Sequence, residues 1–261
     1  MTKNREELND MMALLLEWVE EVGRIHLSKF RQEMVIETKT SRADVVTEVD
    51  KACEKYLVEQ IESHFPSHSI LGEESGVHSH SSEWLWIIDP VDGTNNYSQG
   101  LPYFSVTVGV QHLGETVLGV VFAPYLNELF SCVKGQGAFL NGKPITLAKK
   151  TELADCIIAT GFPSDKGTNP DNNADNVLRI LPHLRCLRRF GGAALDLCYT
   201  AAGFLDGFWE LNINIWDIAA GVLILEEVGG KIVFLREDGS RRLCPVASNP
   251  VVLPQMMQYL R

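Results

Sequence analysis

The sequence predicts a layered α/β protein with β-sheet in both halves of the chain. Apolar residues recur every three or four positions near the N-terminus, a spacing typical of amphipathic helices. Between residue 84 and about residue 140, short apolar runs alternate with Gly and Asn turns, which indicates strands. Further along, strand-like and helix-like segments alternate. Helices therefore have to cover the sheets, as layered architectures require.

Two helices are predicted in the N-terminal part. Residues 5–31 carry a continuous apolar stripe, which consists of Leu8, Met11, Leu15, Trp18, Val22 and Ile25. A loop is expected after this helix. The second helix is predicted to start at Thr47, because a threonine followed three positions later by an acidic residue, Asp50, resembles a capping box. This helix is expected to end near Phe65-Pro66.

The later strands and helices are predicted from apolar runs and the turns that flank them. In the first half, strands are expected at 84–89, 104–110, 116–122 and 129–133. In the second half, strands are expected at 156–160, 185–190, 204–210 and 231–235, with helices near 172–181, 193–203 and 216–227. Pro90 has no N–H to donate, so it is expected to end the pairing of the strand that begins at Trp84.

Length and composition limit the possible classes of protein. A chain of 261 residues with 45% hydrophobic and 22% charged residues is typical of a globular protein, either one large domain or two small ones. No apolar stretch reaches the roughly 18–20 residues that a membrane span needs. The net charge of −11 and the lack of a dense basic run argue against direct nucleic-acid binding.

The cysteines and the N-terminal segment indicate the cellular compartment. Six cysteines are scattered through mostly apolar segments with no C-x-x-C pair. Buried, reduced thiols are therefore expected, and the cytoplasm is the expected compartment. The N-terminal segment lacks the apolar core and small-residue cleavage site of a signal peptide, which agrees with that expectation.

The segment Asp89-Pro90-Val91-Asp92-Gly93-Thr94 carries the strongest chemical signal. Two carboxylates three residues apart, at the end of an apolar strand, repel each other, and a hard cation removes that repulsion by taking both as oxygen ligands. Gly93 allows a tight turn and Thr94 adds a hydroxyl. The alternative is a plain turn rich in Asp and Gly, but the apolar strand before it favours a metal site.

Two earlier segments carry paired carboxylates, and each also has a purely structural interpretation. Asp44 and Asp50 lie at and just inside a predicted helix start, where carboxylates also cap the helix and interact with its dipole. Glu73 and Glu74 follow a short apolar run, and adjacent glutamates are often a solvated surface pair.

Three features of the second half of the chain also allow both a functional and a purely structural interpretation. Gly191-Gly192-Ala193-Ala194 begins a predicted helix and exposes N–H groups to an anion, although a tight strand–helix turn also explains the glycines. Asp217 begins an apolar helix, where it also interacts favourably with the helix dipole, and Glu210 ends the preceding strand. Together the segments gather carboxylates at element ends, which predicts a site for two or three metal ions that opens onto a phosphate.

These motifs, in this order, resemble those of the inositol monophosphatase family over nearly the whole chain. Residues Asp89–Tyr97 are similar to that family's first signature, D-P-hydrophobic-D-G-T-x-N-aromatic, and Trp216–Gly221 are similar to its second. Gly72–Ser75 and Asp44–Asp50 lie in the expected order before the first signature.

The resemblance implies a layered αβαβα sandwich of the inositol monophosphatase and fructose-1,6-bisphosphatase superfamily. It implies a single phosphatase domain over residues 1–261, with the metal motifs in 1–145 and substrate-pocket residues in 146–261. It also implies a lithium-sensitive homodimer that uses two or three Mg²⁺ ions. The implied activity is hydrolysis of a small sugar or polyol phosphate monoester, first of all inositol 1-phosphate, by a metal-activated water.

The resemblance also implies the metal ligands by position. Glu73, Asp89 and the carbonyl of Val91 would hold the first magnesium. Asp89, Asp92 and Asp217 would hold the second. A weaker third ion would lie near Glu73.

Further residues take catalytic roles by the same resemblance. Thr94 and Asp50 would orient the attacking water, and Glu74 would support them. Lys39, five residues before Asp44, matches a family lysine near the site.

The resemblance also implies which residues bind the substrate. Backbone N–H groups of Gly93 and Thr94 would take the phosphate. The pocket would be lined by Gly191, Gly192 and Ala193. The remaining substrate-binding residues are Glu210, which would accept polyol hydroxyls, and Asp217.

The substrate and the role of the protein stay open at this point. Asn214 and Gly192 differ from the His and from the Ser or Thr that other members carry there. Relatives with similar motifs act on fructose bisphosphate, histidinol phosphate, NADP or adenosine bisphosphate. A second hypothesis is a phosphatase-like protein that binds or regulates a partner, as bacterial relatives associated with the transcription machinery do.

Overall fold

Two long helices begin the structure, a computed structural model that describes residues 2–78, 80–236 and 242–261. Helix α1 spans Thr2–Lys29 and α2 spans Glu48–His64, so both predicted helices are confirmed. The predicted capping box at Thr47 is confirmed as well. The Thr47 hydroxyl accepts from the Asp50 N–H at 3.4 Å, and the Asp50 carboxylate accepts from the Thr47 N–H at 2.9 Å.

The segment between these helices, predicted as a loop, contains a small antiparallel hairpin. Strand β1 is Ile36–Thr38 and β2 is Val45–Thr47. All three residues of β1 are exposed, so the alternation of apolar and polar residues that reveals a half-buried strand is absent.

The first half of the chain builds a mixed sheet. In chain order its strands are β3 (Ser69–Gly72), β4 (Gly76–His78), β5 (Trp84–Asp92), β6 (Ser105–His112), β7 (Glu115–Ala123), β8 (Glu128–Val133), β9 (Ala138–Leu140) and β10 (Lys143–Pro144). Across the described part of the sheet the spatial order is β10-β9-β8-β7-β6-β5-β3-β4. Strands β3 and β5 pair in parallel, whereas the other neighbours are antiparallel.

The expectation that Pro90 ends the pairing of its strand is wrong. Asp89 pairs with Thr107, and pairing resumes at Asp92 opposite Ser105 after a shift in register. A bulge therefore takes up the residue that cannot donate, and the strand continues to Asp92. A short helix, α3 (Thr94–Ser98), follows at once.

The second half builds a smaller sheet with helices on both sides. Its elements in chain order are β11 (Ile157–Thr160), α4 (Ala174–Ile180), β12 (Cys186–Arg188), α5 (Ala193–Ala201), β13 (Gly207–Trp209), α6 (Ile215–Glu227), β14 (Lys231–Phe234), β15 (Pro245–Ser248) and α7 (Leu253–Met256). Among the described residues the strand order is β12-β11-β13-β15-β14. The predicted elements are all found, most of them at shorter lengths, while α6 begins one residue earlier than predicted. Strand β15 and helix α7 were not predicted.

Three apolar clusters show the order of the layers. The first joins α1 and α2 to one face of the large sheet, as Trp18, Leu57 and Val120 illustrate. The second joins the opposite face to α5, α6 and the small sheet, through residues such as Val121 and Phe208. The third joins the far face of the small sheet to α4 and α7, with members Trp209, Ile180 and Met256.

Neighbouring residues of one strand divide between clusters because successive side chains point to opposite faces. Val120 and Val121 on β7 do so, as do Phe208 and Trp209 on β13. The αβαβα sandwich implied by the family resemblance is therefore confirmed. Sheet membership changes between Pro144 and Ile157, close to the predicted boundary between the two halves at residue 145. The single phosphatase domain over residues 1–261 stays a prediction.

All six cysteines are free, and five of them are buried, as their apolar surroundings predict. Within the described residues, no helix combines the length and apolar character that crossing a membrane requires.

Candidate active site

A cavity of about 210 Å³ opens where both sheets and the interior helices meet. Strands β3 and β5 are parallel, so their C-terminal ends lie at the same edge of the large sheet, and Glu73 comes beside Asp89. The N-terminal ends of α5 and α6 contribute Ala193 and Asp217, and the end of β13 contributes Glu210. The acidic side chains that line the cavity are Asp44, Glu73, Asp89, Asp92, Glu210 and Asp217.

Mutual repulsion among these carboxylates is the main electrostatic feature of the cavity. Asp89 is only 2% exposed, and burial together with the charges of Glu73, Asp92 and Asp217 raises its pKa well above the usual range. Burial and the charge of Glu73 likewise raise the pKa of Asp217. The Asn214 N–H donates to Asp217 at 2.6 Å, a bond that favours the charged form without cancelling the other effects.

Asp92 is held at the N-terminus of α5. Its Oδ1 accepts from the Ala193 N–H at 3.2 Å and its Oδ2 from the Ala194 N–H at 3.0 Å. The anion that occupies the glycine-rich helix start is therefore a carboxylate of the chain itself. A Cβ on Gly192 would lie 3.2 Å from Asp92 Oδ2, so glycine gives this carboxylate room. Gly191 and Ala193 line the cavity, whereas Gly192 lies behind it.

Asp50 and Thr94 form a hydrogen-bonded pair at the cavity wall. The Thr94 Oγ1 atom lies 3.0 Å from Asp50 Oδ1 and 2.9 Å from the Val91 carbonyl oxygen, and its single hydrogen serves one of them at a time. Asp50 is fully buried, and burial raises its pKa even though hydrogen bonds from Thr47 and Thr94 oppose that change. Thr94 reaches the cavity, and Asp50 supports it from behind.

Lys39 places a positive charge against the two glutamates that follow β3. Its ammonium lies 2.9 Å from Glu73 Oε1 and also pairs with Glu74. Burial raises the pKa of Glu74 to about 7, and the hydrogen bond from Lys39 opposes that change. For Lys39 itself, burial lowers the pKa but the charges of Glu73 and Glu74 prevail and raise it. Neither Lys39 nor Glu74 lines the cavity.

Gly93 allows the chain to turn from β5 into α3. Its φ is 91°, a left-handed conformation that side chains disfavour, and a Cβ there would lie 3.0 Å from the Tyr103 carbonyl oxygen. The tight turn leaves Val91, Gly93 and Thr94 together on the cavity wall.

Glu210, which directly follows β13, also lines the cavity. Burial and the charge of Asp92 raise its pKa to about 8, although Arg189 acts in the other direction. A Cβ on Gly161 would lie 2.0 Å from the Glu210 carboxylate, so the carboxylate packs directly over that glycine.

Arg189 is a charged residue of the site that was not identified from sequence. Within the described part of the chain it is the sole Lys, Arg or His that lines the cavity, and it is exposed. A Cβ on Gly191 would lie 2.4 Å from its Nη1 atom, so the guanidinium lies over that glycine. The signal that could have revealed it is its position two residues before the glycine-rich helix start.

The donors around the cavity fit a hard divalent cation. They are carboxylate and carbonyl oxygens without sulfur or imidazole, the ligands that Mg²⁺ prefers, and their repulsion is relieved by positive charge. Among the residues that the structure describes, no three acidic, His or Cys side chains already have the spacing of a closed metal site. The carboxylates are instead distributed around the cavity.

A layered αβαβα fold with carboxylates around a cavity between its two sheets defines a class of α/β proteins, and comparison with known proteins identifies the family. The sequence model described as "Inositol monophosphatase family" matches residues 7–257. The chain belongs to the inositol monophosphatase family.

Relatives and solved structures agree with this assignment. The "Nus factor SuhB" of Pasteurella multocida is 38% identical over 227 residues, which cover 86% of this chain and 85% of that protein. The crystal structure of extragenic suppressor protein suhB from Bartonella henselae has a TM-score of 0.90 at 32% identity, covering 97% of this chain and 98% of that one. An inositol monophosphatase from Anabaena has a TM-score of 0.85 at 34% identity, covering 97% and 96%.

Proposed function

We propose that the protein is a magnesium-dependent phosphatase that hydrolyses a small sugar or polyol phosphate monoester, with inositol 1-phosphate as the first candidate. One observation carries the proposal. Glu73, Asp89, Asp92 and Asp217 repel one another around one cavity, and the pKa of Asp89 is raised well above its usual range by burial and by the other three charges. An anionic ester cannot enter such a cavity until cations neutralise it.

The proposed magnesium ligands fall into two sets that share Asp89. Glu73, Asp89 and the Val91 carbonyl would hold one ion, and Asp89, Asp92 and Asp217 would hold the other. When bound, magnesium supplies the charge that neutralises these carboxylates and the phosphate, and it makes water more acidic.

The chain's own residues then have to position a water molecule. We infer that the Thr94 hydroxyl donates to Asp50 at 3.0 Å, because a carboxylate is a stronger acceptor than the Val91 carbonyl. The lone pairs of the hydroxyl are then free to accept from water in the cavity. Asp50 is itself anchored by the N–H and hydroxyl of Thr47 at 2.9 and 2.5 Å, so the pair is pre-oriented. Such positioning, with charge stabilisation, is most of what phosphoryl transfer requires.

The part of the cavity lined by the second half of the chain is suited to the alcohol part of the substrate. We assign Glu210 to accept polyol hydroxyls and Arg189 to donate to hydroxyls or to a second anionic group, since both line the cavity. Gly191 and Ala193 would let the sugar ring approach closely, and N–H groups of Gly93 and Thr94 would meet the phosphate. Lys39, paired with Glu73 and Glu74, would hold the Glu73 side chain in place from outside the cavity.

The experiment is release of inorganic phosphate by the purified protein. Inositol 1-phosphate, fructose 1,6-bisphosphate, histidinol phosphate and NADP are each supplied with magnesium chloride, with and without EDTA. Turnover that EDTA abolishes and magnesium restores supports the proposal, and the ranking of the substrates identifies the alcohol. If none of these esters gives chelator-sensitive turnover, the proposal is wrong.

A second candidate function is favoured by the names of the relatives, several of which are Nus factors. We propose that this chain can also bind a protein of the transcription machinery. The net charge of −11 favours a protein partner over direct contact with nucleic acid. Surface plasmon resonance with purified RNA polymerase and its Nus factors, each tested alone, measures this. Absence of binding to any of them would exclude the second role.

The remaining family expectations are proposals for this chain as well. We propose a lithium-sensitive homodimer located in the cytoplasm, with one phosphatase domain per chain. Sedimentation equilibrium at several concentrations tests the dimer, and turnover in the presence of lithium chloride tests the sensitivity. A monomer at all concentrations would contradict the first expectation.

A further inference from the structure

Glu54 is a buried carboxylate outside the cavity that contacts the turn carrying Glu73. It lies on α2 and is 2% exposed. Its Oε2 accepts from the Glu74 N–H at 2.9 Å and its Oε1 from the Ser75 N–H at 2.6 Å. A Cβ on Gly72 would lie 2.6 Å from the Glu54 carboxylate, so the carboxylate packs directly against that glycine as well.

These contacts fix the backbone on both sides of Glu73. A buried carboxylate is costly unless it is hydrogen-bonded, and bonds from N–H groups to a charged acceptor are stronger than neutral ones. The Glu73 N–H donates to the Ile88 carbonyl on β5 at 3.1 Å, which ties the same turn to the neighbouring strand. The backbone of Glu73 is therefore fixed, and its side chain, paired with Lys39, reaches the cavity.

His26 makes the equivalent contact to the second metal-ligand segment. It lies on α1 and is fully buried, and its Nε2 atom is 2.9 Å from the Pro90 carbonyl oxygen. Because a carbonyl only accepts, Nε2 carries the hydrogen. The His26 backbone carbonyl in turn accepts from the Tyr97 hydroxyl at 2.7 Å.

The bond from His26 to Pro90 reaches a part of β5 that is not paired with the neighbouring strand. Pro90 lies within the bulge that separates Asp89 from Asp92, where the sheet does not hold the chain. The Nδ1 atom of His26 is buried without a hydrogen-bond partner in the described part of the chain. An orphaned buried nitrogen costs free energy, so an apolar side chain would pack here at lower cost unless the bond to Pro90 is needed.

We propose that Glu54 and His26 are positioning residues of the outer helix layer, each of which fixes the backbone of one turn that carries candidate metal ligands. Glu54 fixes Gly72–Ser75, and His26 fixes the bulge at Pro90. The identity of the ion rests on the proposed function, but the fixing of the turns does not.

The Glu54→Gln variant tests the first contact. It keeps the volume but replaces an acceptor oxygen with an NH₂ group that cannot accept from an N–H. Glu59→Gln is the matched control, since Glu59 lies on the same helix, is exposed and loses the same charge.

Two measurements are made on each variant. In metal-free protein, amide hydrogen exchange at Glu74 and Ser75 should be at least ~10-fold faster in Glu54→Gln than in Glu59→Gln. Calorimetric titration with magnesium chloride alone should show ~10- to 100-fold weaker binding in Glu54→Gln, the usual effect of losing a residue that orients a ligand.

A second variant covers the case in which Glu54→Gln does not fold. Glu54→Asp keeps the charge but is one methylene shorter, and it should also exchange faster and bind magnesium more weakly. Unchanged exchange and unchanged magnesium affinity would overturn the role of Glu54.

His26 is tested by a pair of variants and a packing control. His26→Leu removes the donor, whereas the amide of His26→Gln can donate from nearly the same place. Val22→Ala, on the same helix and equally buried, destabilises the fold without touching the bulge. Magnesium affinity should fall in His26→Leu, recover in His26→Gln and stay unchanged in Val22→Ala. Equal affinities in all three would overturn the role of His26.

Different results would overturn the proposed phosphatase function and the positioning role of Glu54 and His26. If the wild-type protein binds no magnesium, the proposed phosphatase function fails, and hydrogen exchange still decides whether Glu54 holds its turn. If wild-type protein binds magnesium and hydrolyses esters but the variants behave like their controls, only the positioning role fails.

Discussion

Asp92 serves two parts of the molecule with one carboxylate. It caps α5 through the N–H groups of Ala193 and Ala194, and it faces the cavity. The metal-site role of Asp92 was predicted from sequence, whereas the cap was not, because Asp92 and Ala193 are 101 positions apart. The cap fixes the direction of the carboxylate before any ion arrives.

Replacing Asp92 separates these two roles. Asp92→Asn keeps the volume and one acceptor, so the loss of the second capping bond should cost only ~1 kcal/mol of stability. Turnover should fall by more than ~100-fold, because losing a direct ligand should exceed the effect of losing a residue behind it. Phosphate release at saturating magnesium and thermal unfolding measure the two effects. Asp175→Asn, in the exposed first turn of α4, is the control. Near-normal activity of Asp92→Asn would show that the two-metal assignment is wrong.

Glu210 is expected to discriminate among substrates. Glu210→Gln should change the ratio of kcat/KM values between polyol and other phosphate esters while leaving magnesium affinity within about 2-fold, since Glu210 is not a proposed ligand. Steady-state kinetics on the substrate panel and magnesium titration give both quantities. Equal losses on every substrate would contradict a recognition role.

His26 gives the fold a defined pH dependence. Burial lowers its pKa from 6.5 to about 4, and the bond to Pro90 only partly opposes this. Between these values the unfolded chain binds a proton that the folded protein does not. The free energy of unfolding should therefore fall as pH drops from 6.5 towards 4, by up to about 3 kcal/mol at ~1.36 kcal/mol per pKa unit.

The His26→Leu variant isolates this contribution. Urea unfolding at pH about 7 and about 4 should show a smaller loss of stability for the variant than for wild-type protein, because leucine binds no proton. Val22→Ala should retain the wild-type pH dependence. The same pH dependence in His26→Leu and wild-type protein would contradict a neutral, buried His26.

Sequence reasoning succeeded for residues whose partners are close in the chain. The Thr47–Asp50 box was predictable because both partners lie within one turn of helix. Glu54 and His26 were not, since their partners Ser75 and Pro90 lie 21 and 64 positions away. No local pattern distinguishes a buried glutamate on a helix from an exposed one until the fold is known.

At the scale of elements, the parallel pairing of β3 with β5 brings Glu73 beside Asp89. Apolar runs predicted β5, but its pairing partner could not be identified from a four-residue strand. The Pro90 bulge was missed for a related reason, because a proline signals the loss of one hydrogen bond and not the length of the interruption. Helix α6 was predicted nearly to its ends, since its apolar run is long.

Helix α6 packs so closely against the large sheet that a side chain added at Gly109 should displace it. A Cβ on Gly109 would lie 2.9 Å from Ala219 Cβ and 3.3 Å from the Ala220 nitrogen. Gly109→Ala should therefore push α6 outward, cost ~1–3 kcal/mol of stability and weaken magnesium binding through Asp217, which that helix carries. Chemical unfolding and magnesium titration check this. Gly167→Ala, where no atom lies within 4 Å of the added carbon, should change neither, and equal stability of the two variants would refute the tight packing.

For the whole molecule, the five layers bring together carboxylates from distant parts of the chain. Glu73, Asp89 and Asp92 come from the large sheet, Glu210 from the end of a strand in the small sheet and Asp217 from an interior helix. The sequence indicated which carboxylates to consider, because each lies at the end of an element. Arg189 was not predicted, because its place beside these carboxylates depends on how the two sheets pack.

The assigned roles all depend on the proposal that this cavity binds magnesium and uses it to hydrolyse a phosphate monoester. Phosphate release from inositol 1-phosphate, measured as magnesium is titrated into metal-free protein with Asp92→Asn in parallel, tests this proposal. We expect no turnover without magnesium, saturable turnover with it, and loss of turnover in Asp92→Asn. Turnover by wild-type protein in excess EDTA, or an Asp92→Asn variant as active as wild-type protein, would contradict it.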